Sequence, residues 1–132
     1  MFEELSIRTG ARDQMLDITT DVRAIVQSSG ITSGVCYIYV PHTTAGITIN
    51  ENADASVTRD ILYELDKMVP WNDGYRHMEG NSAAHIKASM MGFSQMVIIR
   101  NGDLQLGAWQ GIYFCEFDGP RNRKVFVKII PS

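Results

Sequence analysis

Apolar and polar positions alternate with period two over "FEELSIRT" and again over "QMLDIT", with the polar turn Gly10 to Asp13 between them. That pattern predicts two strands able to pair as a hairpin. Thr19 or Thr20 then reads as the cap of a helix whose Val22, Ile25 and Val26 form an apolar stripe, ended by Gly30. "SGVCYIYVP" is apolar on both faces and rich in β-branched and aromatic residues, so it predicts a central strand; "AGITIN" alternates as a shorter one. Val57, Ile61, Leu65 and Met68 recur at helical spacing before Pro70, and Asn81 precedes a third helical stretch, "SAAHIKASMM", closed by Gly92. The remainder is β: "QMVIIR", "GIYFCEF" and "KVFVKII", the last two joined by the turn "DGPRN". Val125, Val127 and Ile129 share the inward face of the last strand. About seven strands and three helices give an α+β class.

Composition narrows the function classes. With 132 residues, 45% hydrophobic content, 20% charge and a net charge of −3, the chain reads as one domain spanning residues 1–132. It lacks the broad positive potential of a nucleic-acid binder. No apolar run approaches the roughly 20 residues a bilayer demands, and the first residues carry no positive leader, so no membrane association and a cytoplasmic location are expected. Cys36 and Cys115 lie inside apolar β-rich runs without a CxxC pattern and are expected to be small buried hydrophobes.

The chemistry concentrates in few places. All three histidines, His42, His77 and His85, stand in polar, Gly-punctuated stretches. Three imidazoles and a water would make a catalytic zinc site, although His77 and His85 are eight positions apart and HExxH is absent. In "EGNSAA", Glu79, Gly80, Asn81 and Ser82 lead into a helix N-terminus, where unpaired N–H groups and the dipole favour a phosphate. "NENAD" resembles a calcium loop at its first three ligand positions, but Ala55 and Ile61 stand where that loop needs Gly and Glu. Asn52 or Asp54 is needed as a helix cap, which leaves Asn50, Glu51 and the other of that pair free for a polar substrate or for steadying a histidine. Arg121, Arg123 and Lys124 form a basic turn in which an arginine could clamp a phosphate bidentately. Trp109 and Gln110 sit between two glycines.

"HTTAGITINENAD", "HMEGNSAAHIKASMMG" and "LGAWQGIYFCEFDGPRNRKV" resemble the YjbQ-like proteins, also called secondary thiamine-phosphate synthases. The likeness runs from Ser6 to Ile130 and departs only at Ala108, where a hydroxyl residue is expected. It implies a two-sheet β-sandwich with flanking helices, of order ββαββαβββ, assembled as a homotrimer. It places His42, His77, His85, Glu51, Asn81, Gln110 and Arg121 in shared motifs. It also implies weak coupling of hydroxymethylpyrimidine diphosphate with thiazole phosphate, giving thiamine phosphate and pyrophosphate. His85, His77, His42 and Glu51 are then the candidate catalytic residues. Thr43, Thr44, Asn50, Asn52, Glu79, Gly80, Asn81, Ser82, Gln110 and Arg121 would hold a small phosphorylated metabolite, and a divalent metal, zinc or magnesium, would sit on His42, His77 and His85. The alternatives are a zinc hydrolase using those three histidines and a non-catalytic binder of a phosphorylated metabolite.

Overall fold

The computed structural model describes residues 1–132. The element order is β1 (Phe2–Arg8), β2 (Gln14–Asp17), α1 (Thr19–Ser29), β3 (Ser33–Tyr39), β4 (Ala45–Glu51), α2 (Ala55–Met68), α3 (Ser82–Met91), β5 (Ser94–Arg100), β6 (Asp103–Leu104), β7 (Gln110–Glu116) and β8 (Asn122–Pro131). Compared with the implied order ββαββαβββ there is one helix more and one strand more. The extra helix is α3, visible in the residue pattern; the extra strand is β6, whose two residues are too few to leave an alternation.

Two antiparallel sheets face each other, one ordered β1-β8-β3-β5-β6 and the other β2-β7-β4. The opening segments therefore do not form the expected hairpin: β1 pairs with β8 and β2 with β7, one strand in each sheet. Burial decides this, because each segment has its own apolar row to cover and the two sheets need one row each. β3 is central as expected, between β5 and β8. Its Cys36 and Ile38 pack against Val125, Val127 and Ile129 of β8 and against Ile47, Ile112 and Phe114 of the other sheet. At roughly 25 cal/mol per Å², each such side chain contributes about 1.5–3 kcal/mol. Both cysteines are free and buried.

α2 and α3 cover the three-stranded sheet, α1 packs against β6, β7 and β8 with Val22 and Val26 in the main core, and the outer face of the five-stranded sheet is left bare. Leu65 of α2 and Ala84 and Ala88 of α3 pack on Tyr113, Cys115 and Phe117, forming a second, smaller core. α1 ends at Gly30 in the left-handed conformation (φ 71°), a role glycine fills at little steric cost. Its N-cap is Ile18, not a threonine, because the Thr19 hydroxyl donates to Asp17 and accepts the Ile112 N–H. Asp54 caps α2 through Ser56 N–H. No helix is long and apolar enough to cross a membrane.

Candidate functional site

The β4–β7 pair runs in register from Ala45 opposite Glu116 to Glu51 opposite Gln110. Six residue steps at about 3.4 Å put the two ends roughly 20 Å apart. The expected site residues divide between those ends.

At the Ala45 end, the inward row Ile112, Phe114 of β7 is continued by Glu116, and the inward row Val127, Val125 of β8 by Arg123. Both charges are buried, and Glu116 accepts from Arg123 Nε at 2.9 Å and from a second guanidinium nitrogen. Arg123 also donates to Thr44 Oγ1 at 2.8 Å. Glu116 further accepts from Thr9 Oγ1 at 2.8 Å, Phe117 N–H at 3.1 Å and Asp118 N–H at 3.0 Å. Burial alone would raise the Glu116 carboxyl, but these donors outweigh it and hold its pKa below the ordinary value. Thr9 also accepts Arg121 N–H, so the Glu116 network sets the position of the 117–121 turn.

That turn faces the head of α3. Asn81 stands at the N-cap position but does not cap; its Nδ2 donates to Asp118 Oδ2 at 2.8 Å, and Asp118 also accepts from Arg121 Nη2 at 3.0 Å. Asn81 Oδ1 is buried with no hydrogen-bond partner. The N–H groups of Ser82 and Ala83 find no acceptor, and the helical pattern begins only with Ala84 and His85 bonding to Asn81 O. Gly80, at φ 74°, makes the tight turn into the helix by donating to His77 O. The His77 and His85 rings lie edge to face, 5.5 Å between centroids. Glu79 is exposed beside them. A cavity of about 300 Å³ opens between His77, Gly80 and the loop carrying Trp71 and Tyr75.

His42 belongs to this end but not to that pair. Its Nε2 accepts Lys124 N–H at 2.9 Å, which extends the β3–β8 contact by one bond. Partial burial, then the positive charges of Arg123 and Arg121, hold its pKa below the ordinary 6.5. No three His, Cys, Asp or Glu side chains lie close enough to share a metal ion, so the expected three-histidine metal site does not form within one chain. The physical reason is that Nε2 of His42 already serves the sheet, while His77 and His85 ride on a different layer. The sign of the His42 shift gives a prediction. Above pH 6.5 the neutral ring adds stability, and this is lost as pH falls through the lowered folded value, because the unfolded chain then binds the proton more readily. Denaturant unfolding of wild type should weaken between pH 7 and pH 5 more steeply than that of His42→Gln, whose amide oxygen can still accept the Lys124 N–H; equal slopes would contradict this.

The far end holds the other group. Asn52 Nδ2 donates to Asp17 at 3.2 Å, Tyr113 Oη donates to Glu51 O at 3.1 Å, and Gln110 Oε1 accepts Gly107 N–H at 2.8 Å. The Tyr113 hydroxyl is pushed up by burial and by Asp17 and Glu51. Asn50 Oδ1 only accepts the Glu51 N–H, and Thr43, near the first group, is exposed. Within one chain Glu51, Asn50, Asn52 and Gln110 therefore do not meet the histidines. Sequence reasoning missed Thr9, Glu116 and Asp118 as organisers of the site, and it placed Arg123 in a phosphate-clamping turn, whereas Arg123 is buried and committed to Glu116. A signal existed: a carboxylate and a guanidinium each fall on the inward parity of a core strand, a placement unpaired charges do not tolerate.

The class so defined is a small two-sheet α+β sandwich with a corner where a helix N-terminus meets an arginine turn. The chain belongs to the YjbQ/UPF0047 family: the family model described as UPF0047 protein YjbQ-like matches residues 3–132. It is similar to the UPF0047 protein YugU of Bacillus subtilis, 58% identical over 98% of this chain and 99% of that one. A UPF0047 protein of Methanocaldococcus jannaschii is 52% identical, over 98% and 94%. Among solved structures, a YjbQ/UPF0047 family protein of Clostridium acetobutylicum superposes with a TM-score of 0.95 at 62% identity, covering 97% of this chain and 99% of that one. A YbjQ-like protein of Sulfolobus solfataricus superposes at 0.96 with 33% identity, covering 100% and 97%. Eight strands in two antiparallel sheets with three helices are thus the family's architecture.

Proposed function

We propose that the α3 head and the 117–121 turn bind the phosphoryl group of a small phosphorylated metabolite. The observation that carries this is Asn81. Its Oδ1 is buried without a donor, beside the unbonded N–H groups of Ser82 and Ala83 and near the exposed Arg121. A buried acceptor left unpaired costs roughly 1–3 kcal/mol. A protonated phosphoryl oxygen or a metabolite hydroxyl would supply the missing hydrogen, while the helix N–H groups and dipole hold the remaining oxygens. The reaction to expect there is the one the sequence resemblance implies, attack of thiazole phosphate on hydroxymethylpyrimidine diphosphate with loss of pyrophosphate. In that step the thiazole nitrogen bonds to the pyrimidine methylene as its C–O bond to diphosphate breaks; the N–H pair with Arg121 is suited to the charge that develops on the leaving group, and His85 or His77 to protonating its departing oxygen.

Pyrophosphate binding followed by calorimetry tests the site. Asn81→Ala and Arg121→Ala should each weaken it about 10-fold or more, the loss of one charge-assisted hydrogen bond; unchanged affinity in both would sink the reading. The reaction is tested separately, by thiamine phosphate formation from the two precursors against a His85→Ala control. The His77–His85 pair favours a second reading, a divalent ion, zinc or magnesium, with hydrolytic chemistry. One chain brings two imidazoles to it and no third ligand, so no step is assigned to an ion. Elemental analysis of tag-free protein finding below a tenth of an equivalent per chain would count against it. Assembly as a homotrimer is proposed with the site, supported by the bare outer face of the five-stranded sheet.

A further inference from the structure

The α3 helix buries one charge. Lys87, which is buried on this helix together with Ala83, Ala84 and Ala88, has a side chain 0% exposed. A lysine is almost never enclosed in this way unless its ammonium is paired. Its Nζ donates to Asp13 Oδ2 at 2.9 Å, reaches Asp66 Oδ1 at 3.5 Å, and lies 5.9 Å from the centre of the Phe117 ring. For stability alone, a buried ion pair is often no better than well-packed apolar residues of the same volume. What it adds is direction: an ammonium fixes where its carboxylates stand, whereas a methyl group leaves them free.

The carboxylates carry that direction onward. Asp13 Oδ1 accepts from Arg12 Nε at 2.6 Å, and Arg12 Nη2 donates to Asp66 Oδ1 at 3.0 Å. The turn between β1 and β2, α2 and α3 are thereby joined in one neutral cluster of two cations and two carboxylates. The Arg12 guanidinium lies 4.5 Å from the centre of the Trp71 ring, which belongs to the wall of the cavity beside His77 and Gly80. The Arg12 carbonyl accepts Gly119 N–H at 3.0 Å. Gly119 stands in the turn that carries Asp118 and Arg121, so close to this segment that a Cβ there would collide with Ala11 O. From one buried ammonium the contacts thus reach the helix, the arginine turn and the cavity wall, the three parts that meet at the α3 head.

We infer that Lys87 is the positioning residue of this corner: through Asp13 and Arg12 it sets the separation between the Ser82 and Ala83 N–H groups and Arg121, and it seats Trp71. This role rests on the phosphoryl reading of the α3 head and adds the residue that holds that site in shape. Lys87 stands five positions beyond Ser82, about 7.5 Å along the helix axis. It therefore acts through its partners and does not touch the phosphoryl group.

Lys87→Met keeps the stem and removes the charge. Combining it with Asp13→Asn relieves the carboxylate left behind and keeps an oxygen for Arg12 Nε. Urea unfolding, pyrophosphate calorimetry and hydrogen exchange at Gly119 are followed in both variants and in wild type. The single variant should lose stability, and the double variant should regain most of the lost urea midpoint. The double variant should still bind pyrophosphate about 10-fold more weakly than wild type, the loss of one charge-assisted hydrogen bond, with faster exchange at Gly119. A lysine that served stability alone would give back affinity together with the midpoint, so a double variant that binds as wild type does overturns the inference. Arg12→Ala, at the exposed rim of the cluster, breaks the relay while Lys87 and Asp13 stay paired, and it decides the matter if the other variants fold poorly. Weaker pyrophosphate binding at nearly wild-type stability is expected of it, and unchanged affinity again overturns the inference. If wild type itself does not bind pyrophosphate, the phosphoryl reading falls and exchange decides the rest: acceleration at Gly119 beyond that at Val127 upholds the tether, and unchanged exchange overturns it.

Discussion

Replacing Glu116 by alanine is expected to destabilise the protein by about 3–5 kcal/mol, because it strands a buried guanidinium. Arg123 and Glu116 are both almost wholly enclosed between the sheets, 3% and 0% exposed at the side chain. The loss should appear as a lower urea midpoint. The double variant Glu116→Leu with Arg123→Met should recover part of it, since a packed apolar pair can replace a buried ion pair at little cost. Recovery should stay incomplete, because Phe117 and Asp118 N–H and the Thr9 hydroxyl lose their acceptor as well. The sign of the Glu116 shift adds a pH signature. Its folded pKa is lowered, so its contribution is present above the ordinary 4.5 and disappears as pH falls through the folded value. Glu116→Ala should flatten that acid limb. It should also lower the His42 titration seen by NMR, because Glu116 is the charge that favours the imidazolium while Arg123 opposes it. A change below 1 kcal/mol with an unmoved His42 would refute the account of this corner.

Gly46→Ala is expected to cost about 1–3 kcal/mol and to disturb the α3 head from a distance. A Cβ at position 46 would stand 2.7 Å from Gly92 O, 3.1 Å from Met91 Cβ and 3.3 Å from Ala88 O. Two of these are backbone atoms, so no rotamer change relieves the contact; the C-terminal turn of α3 must lift off β4. The Ile47 N–H to Gly92 O bond, 3.1 Å, lies beside the clash and should lengthen or break. Hydrogen exchange at Ile47 should therefore accelerate more than at Val127 in the other sheet. Because α3 is short and rigid, the same tilt moves Ser82 and Ala83, and pyrophosphate affinity should fall together with stability. Exchange at Ile47 unchanged within error would show that the helix does not rest on this glycine.

Much of the fold was legible because its signals are local. Runs of β-branched and aromatic residues marked β3, β5, β7 and β8, period 3.6 marked α2, and Gly30, Pro70 and Gly92 marked helix ends through restrictions on single residues' backbones. Burial of the two cysteines followed from the apolar runs that contain them. What the alternation could not carry was which strand each segment would choose. β1 and β2 look like hairpin partners along the chain, yet they pair with β8 and β7, whose partner residues lie 114 to 126 and 96 to 102 positions away. Strand choice is set by which apolar rows can face each other in three dimensions, a sum over distant residues that no window contains.

The site divides along the same line. By itself the chain determined residue chemistry: a Gly-Asn-Ser entry to a helix, an arginine turn and histidines placed in polar stretches. It could not tell that Asn81 would donate to Asp118 instead of capping its helix, that His42 would be held by the Lys124 N–H, or that Glu51 would end a strand length from all of them. Those outcomes depend on register and layer packing, which bring atoms together or hold them apart regardless of how their motifs read. Only the tertiary structure could decide them, because hydrogen bonds and charge pairs act over a few ångströms of space, whereas a sequence orders residues by bonds along the backbone.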